Sequence, residues 1–305
     1  MTAPDLSISI GGLKLKNPVL LASGTVGYGN EIAEFTDISK LGGIVTKSLS
    51  LKPRKGNPPQ RICETPSGML NAIGLANVGV EVFVKEKIPF LKNLNTAIIC
   101  NIAASSIEEY VECTKILSSE DTIDAFEINV SCPNVKEGGL EFGNDVKAVG
   151  RITEQVRMVT EKPIIIKLSP NVSRISEFAR SVKENGGDAV SAINTLVGTS
   201  FDIWTHKPKI KNITGGLSGP AIKPVALAKV LEISRNVDIP IIGIGGIMNW
   251  KDAAEFMIVG ATAFQIGTVN FINPNAGIEI VNGLIDFCNK KSLQKISELT
   301  ASYQI

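Results

Sequence analysis

Eight apolar, β-rich runs recur along the chain, at 19–22, 43–48, 97–102, 126–130, 164–168, 189–194, 241–245 and 263–267. Segments with helical spacing lie between them, among them Val146-Val149-Ile152-Val156-Val159, Ile175-Phe178-Ala179-Val182 and Val225-Ala228-Leu231-Ile233. Near-continuous apolar strands, each followed by a helix, belong to parallel sheets covered on both faces. Eight such units close as a (β/α)8 TIM barrel, with a doubly wound sheet as the alternative use of the same alternation. No linker rich in Ser, Gly or charge interrupts the pattern, so residues 1–305 are expected to form a single domain. Before the first run, Leu6, Ile8, Ile10, Gly11-Gly12, Leu13 and Leu15 alternate as a small hairpin does, and predict an N-terminal β-hairpin that plugs or caps the barrel.

Charge and cysteine usage narrow the function. The 31 Lys plus Arg almost cancel the 30 Asp plus Glu, so no net field draws in nucleic acid or an acidic membrane, and a small-molecule substrate is expected. No apolar run approaches the ~20 residues that span a bilayer, and the first residues carry Asp5 and no apolar leader core; the expectation is a soluble, cytoplasmic protein. The five cysteines, Cys63, Cys100, Cys113, Cys132 and Cys288, form no C-x-x-C pair and are odd in number, which fits free thiols in a reducing compartment. With His206 the one histidine, no metal site is expected within the chain.

In a barrel the strand carboxyl ends converge on one face, so their polar residues can be read together. The fourth run passes through Glu127, Asn129 and Ser131 to Cys132, where Pro133 ends the ladder because it has no N–H. A cysteine there is either a small buried hydrophobe or a reactive thiol; two carboxamides, Asn129 and Asn134, flank it, and Gly138-Gly139 follow. The other runs end at Ser23-Gly24, Lys47-Ser48, Asn101, Lys167 and Asn194-Thr195. These are neutral hydrogen-bonding groups with two cations, a set that disfavours two-carboxylate chemistry. A lysine ending an apolar run either meets an anion or snorkels to solvent. The last two runs end at Gly245-Gly246 and Gly267-Thr268, where backbone N–H groups can approach a phosphate. Gly243 to Met248 fails the G-x-G-x-x-G pattern at its last position, which argues against direct NAD binding. The long connections 51–77 and 195–219 follow strand carboxyl ends and are expected to build the site or an interface.

Five motifs together, Asn129-Val-Ser-Cys132-Pro-Asn134, Asn71-Ala-Ile-Gly-Leu75, Ile193-Asn-Thr195, Gly215-Gly-Leu-Ser-Gly-Pro220 and Gln265-Ile-Gly-Thr268, give a chain that resembles the class 1 dihydroorotate dehydrogenases over nearly its whole length. The likeness is closest to the class 1B, NAD-linked catalytic subunit, in Ala22-Ser-Gly-Thr25, the Pro-rich run before Asn71, and Thr214 to Gly219. It implies oxidation of (S)-dihydroorotate to orotate in de novo pyrimidine biosynthesis, with FMN in a (β/α)8 barrel. It further implies a homodimer core joined, as a heterotetramer, to an electron-transfer subunit that carries FAD and a [2Fe-2S] cluster and reduces NAD.

Matched position by position, the resemblance puts flavin contacts at Ser23, Lys47, Ser48, Asn101, Asn129, Lys167, Ile193, Gly219, Gly245, Gly246, Gly267 and Thr268. It puts substrate contacts at Lys47, Asn71, Ala72, Ile73, Gly74, Leu75, Asn129, Asn194 and Thr195, to which Asn134 is added. Cys132 falls on the catalytic base, and Lys167 on the cation beside flavin N1 and C2=O. Residues 133–142 would close over the substrate as a lid. The rival readings are a class 1A-type homodimer that uses fumarate, a related flavin domain that reduces pyrimidine bases, and a non-catalytic flavin- or phosphate-binding barrel.

Overall fold

The computed structural model describes residues 3–131, 136–137 and 140–304. Eight strands form a closed parallel barrel: β1 (Val19–Leu21), β2 (Gly43–Val45), β3 (Ala97–Ile102), β4 (Ala125–Asn129), β5 (Ile164–Lys167), β6 (Ala189–Ala192), β7 (Ile241–Ile244) and β8 (Ala263–Ile266). Each pairs with its sequence neighbour, and Phe264 of β8 meets Val19 of β1 to close the ring. Every one of the eight expected runs overlaps a barrel strand, the fourth displaced by one residue, and the doubly wound alternative is excluded.

Helices Ile107–Ser118, Val146–Arg157, Ile175–Glu184, Lys223–Asn236, Trp250–Ile258 and Ala276–Lys291 lie among the barrel strands in sequence. Local chemistry fixes several of their starts. Ser106 and Asp145 cap the first turns of the first two, and Asn249 with Asp252 forms a reciprocal capping box before Trp250–Ile258. Two of the three apolar faces read from periodicity are buried: Val149, Ile152 and Val156 in one helix, Ile175, Ala179 and Val182 in the next, none of them detectably exposed. In Lys223–Asn236 the expected face is wrong: Val225 and Ala228 are exposed, and Ala226 and Val230 turn inward instead, together with Ile233.

Strands Ile8–Ile10 and Leu13–Leu15 form the expected hairpin, turning through Gly11 and Gly12, both at positive φ. A Cβ at Gly11 would lie 2.3 Å from the Cβ of Asp188, the residue just before β6. The hairpin therefore packs at the amino-terminal end of the barrel, leaving the opposite end for chemistry.

At that opposite end the two long connections supply a second, four-stranded antiparallel sheet, in the order Leu196–Thr199, Thr214–Ser218, Gly68–Asn71, Ile62–Thr65. Two segments more than a hundred residues apart pair here, so no local pattern could announce it. Gly68 makes the close approach possible: its φ is +151°, and a Cβ on it would lie 2.0 Å from the Ser218 carbonyl oxygen. Gly68→Ala is expected to push the middle strands apart at a cost of about 1–3 kcal/mol, lowering the melting temperature by about 2–6 °C. Differential scanning calorimetry checks this; an unchanged transition would show that the contact gives way freely.

Among the described residues no helix is long and apolar enough to cross a membrane.

Candidate active site

The carboxyl ends of β3, β4 and β5 build the centre. Asn101, Glu127, Asn129 and Lys167 are all buried, on neighbouring strands in register: Asn101 opposite Glu127, and Asn129 opposite Lys167. Glu127 has no exposed surface. It accepts hydrogen bonds from Asn101 Nδ2 at 2.6 Å, Ser191 Oγ at 2.8 Å and Gln265 Nε2 at 2.5 Å. Ser191 lies on β6 and Gln265 on β8, neither adjacent to β4, so this carboxylate reaches across the barrel interior. The Lys167 ammonium stands 3.8 Å from Glu127 Oε1, near enough for attraction but too far for a hydrogen bond. The Asn101 Oδ1 and Gln265 Oε1 oxygens are buried without a partner among the described residues. An orphaned buried acceptor costs about 1–3 kcal/mol unless a ligand satisfies it.

A second cluster lies at the ends of β4 and β6. Asn194 Nδ2 donates to Asn129 Oδ1 at 3.3 Å, and the Thr195 N–H donates to Asn194 Oδ1 at 2.8 Å. Asn129 Oδ1 also accepts from the Ser131 N–H, while the Asn129 carbonyl accepts from the Tyr110 hydroxyl at 2.7 Å. This holds the strand end rigidly just before Cys132. Asn71 comes from the antiparallel sheet and donates to the Gly216 carbonyl at 3.3 Å. The segment after it is tied down by Ala72 N–H to Arg61 O at 2.7 Å and Asn57 N–H to Ile73 O at 2.9 Å, with Gly74 and Leu75 both at positive φ.

Lys47 follows β2, its N–H bonded to the Gly27 carbonyl at 2.8 Å. Burial, and then the nearby Arg61 guanidinium, hold its ammonium below the usual lysine range. Among the described residues no carboxylate forms an ion pair with it, so the two cations together call for an anion from outside the chain. Between snorkelling and an anionic neighbour, the structure favours the anion for Lys47.

The glycine-bearing ends meet nearby. Gly245 and Gly246 have positive φ, and a Cβ on Gly246 would fall 2.8 Å from the Gly219 carbonyl and 2.9 Å from the Lys223 nitrogen. Among the described residues, chain neighbours aside, no atom lies within 4 Å of where a Cβ on Gly24 would stand, and Gly267 meets only ordinary contacts. Thr268 Oγ1 bonds to Ser218 Oγ at 2.9 Å, joining the end of β8 to the covering sheet. Ser23 is half-buried on the loop after β1, while Ser48 and Ile193 are buried after β2 and β6. Cys132, Asn134 and half of the expected lid (133–135, 138 and 139) lie outside the described residues.

Sequence reasoning passed over Glu127, though it sits two residues before Asn129 and so on the same strand face. The set at the mouth includes one buried carboxylate besides the amides and the two cations. Arg61 was also missed. It belongs to the Pro-rich connection, and only the folded sheet brings it near Lys47. Among the described residues no group of three or more His, Cys, Asp or Glu side chains could hold a metal ion.

A closed parallel barrel with amides and two lysines converging at its carboxyl-terminal mouth, and with a sheet folded over that mouth, defines a barrel enzyme for a small anionic ligand. The family model for dihydroorotate dehydrogenase matches residues 5–288, and the chain belongs to that family. It is 53% identical over 301 residues to a protein of Caldicellulosiruptor saccharolyticus, covering 99% of this chain and 100% of that one. It is 50% identical over 305 residues to one of Geotalea daltonii, covering 100% of both, and 48% identical over 301 residues to one of Bacteroides fragilis, covering 99% of both. All three are named dihydroorotate dehydrogenase B (NAD(+)), catalytic subunit.

Proposed function

We propose that this chain is the catalytic subunit of an NAD-linked dihydroorotate dehydrogenase, oxidising (S)-dihydroorotate to orotate in cytoplasmic pyrimidine biosynthesis. The observation that carries the reading is the pair of under-neutralised cations, Lys47 with Arg61, beside hydrogen-bonding amides in a chain about half identical, end to end, to proteins of that name. Dihydroorotate offers what those groups lack: a carboxylate, and a ring edge of N–H and C=O groups.

Asn101 Oδ1, buried and without a partner among the described residues, and the small residues at the ends of β1, β7 and β8 fit a flavin. FMN would be held by Ser23, Lys47, Ser48, Asn101, Asn129, Lys167 and Ile193, with Gly219, Gly245, Gly246, Gly267 and Thr268 around its phosphate side. Bound there, it supplies a hydride acceptor. Lys167 keeps positive charge where the ring gains negative charge. Asn71, Asn129, Asn194 and Thr195 orient the pyrimidine, with the backbone of Ala72, Ile73, Gly74 and Leu75 and the Asn134 amide beside them. Lys47 takes the carboxylate, and Cys132 removes the C5 proton. Two copies would form the core, and a partner subunit bearing FAD and [2Fe-2S] would pass electrons to NAD.

The test is to purify the full chain alone and with its co-expressed partner. The expected result is a yellow chain that reduces an artificial dye with dihydroorotate and reduces NAD only when the partner is present. A colourless chain would refute the flavin site. Efficient NAD reduction by the chain alone, or turnover with fumarate and not with NAD, would refute the NAD-linked assignment.

A further inference from the structure

Glu127 carries no role in the reaction just described, yet it is the most fully bonded side chain at the site. We infer that Glu127 is a positioning residue, which fixes which way the Asn101 amide faces and partly offsets the Lys167 charge, thereby setting how strongly the bound flavin attracts electrons. The inference rests on the reading that Lys167 and Asn101 face a flavin.

A carboxylate can only accept hydrogen bonds, so every amide that touches it must offer its NH2 end. Asn101 and Gln265 both do so, at 2.6 and 2.5 Å, and each is left with a buried oxygen that has no partner among the described residues. Glu127 thus dictates that Asn101 presents an acceptor rather than a donor to whatever binds beside it.

Charge works in the same direction. At 3.8 Å the Lys167 ammonium feels the carboxylate without donating to it, so its N–H bonds remain for another acceptor while its field on that acceptor is reduced. Ser191, Asn101 and Gln265 share the carboxylate's charge, so the offset is partial. With Gln at position 127 the shape is kept and the charge is lost. Gln265 can then turn its amide and accept from the new NH2 with its Oε1, which keeps the contact across the barrel and leaves Gln265 with one unsatisfied end, as in the parent. The Lys167 charge would be unopposed, and any negative charge on the flavin more stable.

Sulfite provides a probe independent of turnover. It adds reversibly to flavin N5, its sulfur lone pair forming the S–N bond while the displaced electron pair comes to rest as negative charge on the ring. For the full chain purified with its flavin, Glu127→Gln is expected to lower the sulfite dissociation constant about tenfold and to raise the two-electron midpoint potential by about 30 mV, the equivalent of that factor. Ser191→Ala removes one neutral donor, concentrates the carboxylate's charge on Lys167, and is expected to weaken sulfite binding about threefold. Shifts of opposite sign support the assignment, because simple loosening of the core would move both variants the same way. Two flavin-bound variants within twofold of the parent overturn it. Should Glu127→Gln fail to fold, Ser191→Ala decides alone, and a constant within twofold of the parent overturns it. A parent chain without flavin refutes the flavin reading itself, and this inference with it.

Discussion

Cys132→Ala is expected to yield a yellow protein whose turnover with dihydroorotate is lower by ~10²–10⁴-fold, the usual contribution of a positioned general base. Flavin should remain because the groups that would hold it stand on other strands, Lys47 after β2, Asn101 on β3 and Lys167 on β5. The remaining thiols cannot easily substitute. Burial pushes Cys100 and Cys113 up to about 12 and raises Cys288 as well, so three of the other four stay protonated at working pH. Cys63 lies on the half-covered outer strand of the antiparallel sheet. Anaerobic stopped-flow measurement of flavin reduction separates loss of the base from loss of the flavin. Cys132→Ser supplies the pH test. A base works only when deprotonated, so the rate should climb with pH toward the thiol's reference value of about 8.5, and the serine variant should shift that climb to higher pH. Full activity in Cys132→Ala would remove the residue from the mechanism.

What could be read in advance follows the range of the interactions. The barrel was legible because each strand and helix announces itself within ten to fifteen residues, as Ile164 to Lys167 and Val146 to Arg157 do, and because eight repeats leave few ways to close. Strand ends were less so. The run 43–48 reads as one strand, yet the regular strand ends at Val45: the Thr46 N–H still bonds to Ile99 on β3, but Lys47 turns away to Gly27 on the loop after β1 and pairing resumes only at Leu49. The antiparallel sheet was invisible for a different reason: Gly68–Asn71 pairs with Thr214–Ser218, and nothing local in either segment names the other. Asn101, Asn129 and Lys167 could be nominated because each ends an apolar strand. Glu127 lies one step deeper, where a charged residue in an apolar run looks out of place until its donors on three other strands are seen. The family resemblance named the residues of the mouth but not what holds them in place.

Lys47→Met is expected to cut affinity for dihydroorotate and orotate on the order of 10²-fold while making the ligand-free protein more stable. The two effects share one cause. Lys47 is desolvated, with Arg61 as its charged neighbour, so in the free protein its charge opposes folding. A substrate carboxylate relieves this, and losing a charge-assisted contact of that kind costs about 2–3 kcal/mol of binding. Methionine keeps the apolar stem and removes the charge, so the melting temperature without ligand should rise by about 2 °C. The pH dependence follows from linkage. Because the folded-state value lies below that of the unfolded chain, the unfolded chain binds the extra proton in the interval between them. Stability contributed at this position therefore grows as pH climbs through that interval, and the growth should vanish in Lys47→Met. Anion binding lifts the lysine back toward its ordinary value, so orotate binding to the parent should take up protons at alkaline pH. Titration calorimetry in buffers of different ionisation enthalpy measures that uptake directly. Equal proton uptake in the parent and in Lys47→Met would show that the carboxylate is held elsewhere.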